Sequence, residues 1–214
     1  MTFPCLVALF AVLLQPAART EAATTPAFDA DVLIQAGHQG RPDCSIEPAS
    51  LCNNTGARGE IELTPVVADA TARILRAAGI TVIRKPARIE RTYHVRDALF
   101  IHFDGSVQPC ASGASVGYPQ VADSRAAAQQ WKAVYARGWR FGFQPDNFTE
   151  SLRDYFGYKH VAASDAAILV EFGELTCPAQ AAWLRAHLAW EAASLAHFVS
   201  LRLHRGNVPA PALP

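Results

Sequence analysis

Asp31-Val-Leu-Ile-Gln-Ala-Gly-His-Gln-Gly40 carries the clearest strand-to-turn signal in the chain. Residues 31–36 form a mostly apolar run that stops at Gly37-His38-Gln39-Gly40, so it reads as a strand feeding a glycine-rich polar turn. Downstream, Leu63, Val66, Val67, Ala70, Ile74 and Leu75 recur at i, i+3, i+4 and i+7. That spacing predicts an amphipathic helix over residues 63–78. Pro65 is tolerable in its first turn, and Gly79 suits the left-handed position beyond its end.

The alternation continues outward. Residues 80–84 read as a second strand, and 98–103 as a third, too continuously apolar for the surface and therefore central. An extended piece at 114–118 precedes a helix over 123–137, a Phe/Gly/Trp-rich turn at 138–145 and a short helix near 147–156. Residues 167–172 make the last strand. A final helix is expected over 178–203, with Trp183, Leu184, Leu188, Ala192, Leu195 and Val199 on one side. Strands alternating with helices predict a single α/β domain with a mostly parallel central sheet and helices on both faces. In such sheets the active site lies at the carboxyl ends of the strands.

The 214 residues suit one domain. Nineteen basic residues balance 19 acidic ones, without blocks of either sign. This balance argues against nucleic acid and against an anionic membrane surface as partners. Residues 1–22 read as a secretory signal: the apolar run 6–14 is too short to span a bilayer, and Thr20-Glu21-Ala22 suits cleavage. No Lys or Arg precedes the run, so an uncleaved anchor is the competing reading. Residues 23–30 then serve as linker, 31–203 as the catalytic domain and 204–214 as a disordered tail. An exported chain, periplasmic or secreted, would keep four cysteines, with Cys44–Cys52 and Cys110–Cys177 the favoured pairs.

Three strands end in polar residues that buried strands do not otherwise favour: His38, His102 and Glu171. Neighbouring parallel strands would bring them together, and Glu60 can reach the same edge. Two imidazoles and a carboxylate, with a position left for water, make a catalytic zinc site, and a further glutamate can serve it as general base. Taken singly, each of these residues reads as an ordinary structural histidine or solvated charge. The histidines at 94, 160, 187, 197 and 204 read as structural, and Trp131, Tyr135, Trp139, Phe141 and Phe143 as core.

Residues 32–40 resemble the "Asp-Pro-Gly-His-Gly-Gly" opening of zinc-dependent N-acetylmuramoyl-L-alanine amidases of the Amidase 3 type. Gly59-Glu60 with the helix ending at Gly79 is similar to their second signature. Residues 97–104 resemble "Asp-Leu-Phe-Val-Ser-Ile-His-Ala-Asn", and residues 168–173 resemble "Val-Leu-Val-Glu-Leu-Gly". The likeness runs in order over roughly residues 31–190. It implies His38, Glu60 and His102 as Zn2+ ligands, Glu171 as the catalytic glutamate, and peptidoglycan or muropeptides as substrate. Glu62 competes with Glu60 for the ligand role; Gly59 and the spacing to Gly79 favour Glu60. The chain departs from the pattern at Gln35-Ala36, Asp104, Glu174-Leu175 and the loop 41–59. Two alternatives stand beside this reading. One is a zinc peptidase acting on stem peptides, with Arg41, Arg58 or Arg96 binding a carboxylate. The other is a non-catalytic peptidoglycan-binding protein. Neither an activator requirement nor an autoinhibitory element can be read from the sequence.

Overall fold

The structure, a computed structural model, describes residues 27–41, 54–120 and 122–214. The expected signal segment and the expected Cys44–Cys52 pair lie outside these residues. Eleven elements follow in order: β1 (Ala30–Ala36), α1 (Glu60–Ala77), β2 (Val82–Lys85), β3 (Tyr93–Asp104), β4 (Ser115–Gly117), α2 (Ala122–Tyr135), α3 (Glu150–Arg153), α4 (Gly157–His160), β5 (Val161–Glu174), α5 (Pro178–Ala186) and α6 (Leu188–Leu203). The sheet order is β2-β1-β3-β5-β4, and only β4 runs antiparallel to its neighbour.

Period-two alternation sorts each strand between two cores. Val32, Ile34, Leu99, Ile101, Ile168, Val170 and Phe172 face the larger one, shared with α1, α2, α5 and α6. Trp131 and Tyr135, both fully buried, stack within it at 5.0 Å between centroids. Leu33, Ala98, Phe100, Ala167 and Leu169 face the smaller core, covered by Leu152, Tyr155 and Tyr158 from the α3–α4 region. Helices on both faces of a mostly parallel sheet are the expected architecture.

Several boundaries differ from the sequence reading. Strands β3 and β5 run to 12 and 14 residues; their first halves are only partly buried and carry polar residues, His94, Arg96 and Asp97 in β3 and Ser164 and Asp165 in β5. An apolar-run criterion sees only the portion covered on both faces. Of the short helix expected near 147–156 only the single turn α3 forms, capped by Thr149, whose Oγ1 accepts from the Leu152 N–H at 3.2 Å; a second single turn, α4, follows beyond that span. The single final helix is broken at His187, whose backbone N–H donates to Leu184 O and whose Nδ1 lies 2.6 Å from Trp183 O. The apolar stripe passes across that break without interruption, so periodicity could not reveal it. The tail, expected to be disordered, docks on α6: Val208 N–H donates to Ser200 Oγ at 3.0 Å, and Val208 O lies 2.8 Å from His197 Nδ1. Cys110 and Cys177 form a disulfide, tying the loop after β3 to the start of α5. Among the described residues, no helix is long and apolar enough to cross a membrane.

Candidate metal centre

The chain runs from β1 into α1 and β2 on one side of the sheet, then returns to place β3 on the other side of β1. The carboxyl ends of β1 and β3 therefore flank the point where strand order reverses, which is where open α/β sheets leave a crevice. His38 lies just past β1, and His102 lies near the end of β3. Glu60 is the first residue of α1, one place later than a pre-helix position, and is buried. Nδ1 of His102 sits 2.9 Å from Glu60 Oε1, and Nε2 of His38 sits 3.5 Å from the same oxygen. Donor atoms of the three residues all fall within 4.8 Å of one another. Glu62 is exposed on α1 and takes no part in this group.

Local backbone chemistry holds the three in place. His38 adopts φ 59°, a left-handed conformation uncommon for a non-glycine residue and kept only when its surroundings enforce it. The Gly37 N–H donates to Ile101 O at 2.8 Å, while Thr64 Oγ1 donates to Gly37 O at 2.7 Å, binding β1, β3 and α1 at this corner. A side chain at Gly37 would overlap the His102 ring, and one at Gly56 would overlap Glu60 Oε2. Glu60 Oε2 accepts the Ala57 N–H at 2.9 Å, and Oε1 accepts the Phe103 N–H at 3.1 Å.

The electrostatics suit a cation. Burial alone would push the Glu60 carboxyl up, but the hydrogen-bonding contact with His102 and the Phe103 N–H outweigh it, and its pKa falls. The group is thus an anion. Burial lowers the His38 pKa despite the Glu60 charge, so the ring stays neutral. Nδ1 of His38 lies 3.0 Å from Asn54 O, which can only accept, so that nitrogen carries the hydrogen and Nε2 keeps its lone pair toward Glu60. An anionic carboxylate and a neutral imidazole lone pair converging on a small volume fit a divalent metal, and the N/O donor set suits zinc.

Glu171 stands opposite His102 in the β3–β5 register, so both side chains leave the same face of the sheet. Its Oε2 is shielded from solvent and finds no hydrogen-bond partner among the described residues. Burial, then the negative charges of Glu60 and Asp104, push its pKa well above the usual carboxylate range. A cleft of about 510 Å³ opens over the group, with Asp104, Thr149, Ser151 and Tyr155 on its walls. Of the three arginines considered for a peptide carboxylate, Arg41 lines this cleft, its guanidinium 4.6 Å from the Phe156 ring centroid. Arg58 is exposed outside the cleft lining, and Arg96 pairs with Asp165 at 3.0 Å.

The sequence reading missed Tyr155 and Asn54. Tyr155 OH lies 3.1 Å from His102 Nε2 and donates to Gln35 Oε1 at 2.6 Å. Gln35 did carry a signal, being an amide inside an apolar strand, whereas nothing in the sequence around Tyr155 marks it.

No protein-family model matches the chain, and no curated protein matches it. Solved structures do match, and the fold they share with this chain is that of N-acetylmuramoyl-L-alanine amidase catalytic domains. The amidase from Clostridium difficile 630 superposes with a TM-score of 0.59 at 18% identity, covering 83% of this chain and 98% of that one. Ami1 from Mycobacterium smegmatis gives 0.58 at 18% identity, covering 83% and 98%. The CwlD amidase from Clostridioides difficile, solved with the GerS lipoprotein, gives 0.57 at 15% identity, covering 82% and 99%.

Proposed function

We propose that this chain is an exported, zinc-dependent hydrolase that cuts the amide bond between N-acetylmuramic acid and L-alanine in peptidoglycan. The observation that carries the reading is the His38–Glu60–His102 cluster with Glu171 facing it from the next strand, set in a fold shared with known amidases of that specificity. His38 and His102 would hold the metal through ring nitrogens and Glu60 through a carboxylate oxygen. Zinc supplies Lewis acidity when bound, which makes water reactive toward an amide near neutral pH.

The chain's own residues do the rest. Glu171 takes the proton released as water adds to the lactyl carbonyl carbon. Its Oε2 then returns that proton to the leaving nitrogen of L-alanine as the C–N bond breaks. A raised pKa suits the second of these steps, in which the carboxyl holds a proton and passes it to the leaving nitrogen. The cleft walls, carrying Asp104, Thr149 and Ser151, offer polar partners for a glycan–peptide junction. An exported location follows from where that substrate lies and from the apolar run at residues 6–14. CwlD was solved in complex with a lipoprotein, which supports a protein partner for this chain as well.

Chelator-treated protein should fail to release dye from labelled sacculi and regain activity with about one zinc per chain. Undiminished release after complete metal removal would overturn the zinc reading.

A further inference from the structure

The metal donors of a histidine depend on what its other nitrogen does, and here a chain of hydrogen bonds settles that for His102. Ala87 O can only accept, and it accepts from Gln35 Nε2 at 3.3 Å. The reversed amide would set oxygen against oxygen, so Gln35 presents Oε1 on its other side. That oxygen accepts the Tyr155 hydroxyl at 2.6 Å, which commits the phenolic hydrogen. What Tyr155 offers His102 at 3.1 Å is therefore a lone pair, and Nε2 must carry the hydrogen. Nδ1 then faces Glu60 Oε1 at 2.9 Å, where it donates a hydrogen to the carboxylate in the metal-free protein and gives that hydrogen up when a cation takes its place.

We propose that Gln35 and Tyr155 are positioning residues that fix the hydrogen of His102 on Nε2 and present Nδ1 as the metal donor. The proposal rests on the zinc reading above for its purpose, though not for its geometry. Gln35 is fully buried, and a buried amide left without partners is costly, so the relay has one strongly preferred direction. The Tyr155 ring is held independently of its hydroxyl: it meets Phe100 at 5.1 Å and Tyr158 at 5.8 Å between centroids. It also stands edge-on to the His102 ring, at 82°. Polar partners behind metal-binding histidines orient the ring and set its basicity. Gln35 is one of the positions at which this chain departs from the amidase opening signature. The relay gives that departure a physical role.

The test uses Tyr155→Phe, which keeps the ring, and Gln35→Met, which keeps the tyrosine but removes the acceptor of its hydrogen. Nitrogen-labelled protein is followed by proton–nitrogen correlation spectra of the His102 ring, metal-free and after zinc addition. Zinc affinity is measured separately by competition with a chelating dye. In the wild-type protein Nε2 should carry a slowly exchanging hydrogen in both states, with zinc on Nδ1. Both substitutions should speed that exchange and weaken zinc by about 10- to 100-fold in protein that is still folded. If Tyr155→Phe fails to fold, Gln35→Met carries the comparison. Unchanged exchange and unchanged zinc affinity in both variants would overturn the relay and leave the zinc reading standing. Slow Nε2–H exchange in a wild-type protein that takes up no zinc would do the reverse.

Discussion

Replacing Glu171 by Gln separates proton transfer from metal binding, and the contrast with Glu60→Gln can be worked from the contacts each carboxylate makes. Glu171 Oε2 has no partner among the described residues and carries a charge disfavoured by burial and by Glu60 and Asp104. An amide of the same shape removes that charge and breaks no hydrogen bond at Oε2, so fold and zinc content should be kept. Only the base is lost, which typically lowers turnover ~10²–10⁴-fold, about 3–5 kcal/mol of barrier. Glu60 is different: Oε1 accepts from Phe103 N–H and Oε2 from Ala57 N–H. Its amide would set a donor against one of these N–H groups, a buried mismatch of about 1–3 kcal/mol. Glu60→Gln should therefore lose both stability and zinc. The assays are metal content, thermal melting and dye release from sacculi. Zinc lost from Glu171→Gln and kept by Glu60→Gln would invert the assigned roles, and an active Glu171→Gln would refute the mechanism.

Three further outcomes follow from the structure. Glu191 is fully buried, and both its carboxylate oxygens lack partners among the described residues, so burial pushes its pKa well above the value it has in the unfolded chain. A raised carboxyl pKa means the folded state holds the proton more tightly, so stability falls as pH rises above that unfolded value. Glu191→Met should accordingly gain in melting temperature over wild type as pH rises from about 4 to 8; a gap independent of pH would contradict this. The Cys110–Cys177 link spans 67 residues, and its loss through Cys110→Ala should cost about 4 kcal/mol, near 10 °C in melting temperature. An unchanged melting curve would count against that estimate. Gly56→Ala would press a methyl group on Glu60 Oε2 at a position with φ 72°, and should weaken zinc binding. Zinc titration against wild type checks it.

The sheet and the meeting of His38, Glu60 and His102 were legible because the same physics writes both. A strand buried on two faces must be apolar, so His102 within β3 and Glu171 within β5 stand out as exceptions. Gly37 beside His38 read only as part of a turn, and the structure shows the His102 ring packed against that glycine. What remained hidden has no local signature. The break at His187 lies inside a continuous apolar stripe, and the docking of the tail depends on Ser200 and His197, ordinary residues on α6. Tyr155 acquires its place only through contacts 120 residues away in sequence, at Gln35. Helix geometry distinguishes Glu60 from Glu62: starting α1 at Glu60 turns that residue inward and leaves Glu62 exposed.

The most direct test of the central claim is mass spectrometry of the products released from purified sacculi by the zinc-loaded protein. The account predicts stem peptides bearing a free L-alanine amine, together with glycan strands that keep an unsubstituted lactyl carboxylate. Fragments cut within the stem peptide, with L-alanine still joined to the lactyl group, would contradict it and point to a peptidase; intact sacculi in the presence of bound zinc would leave a binding protein without this chemistry.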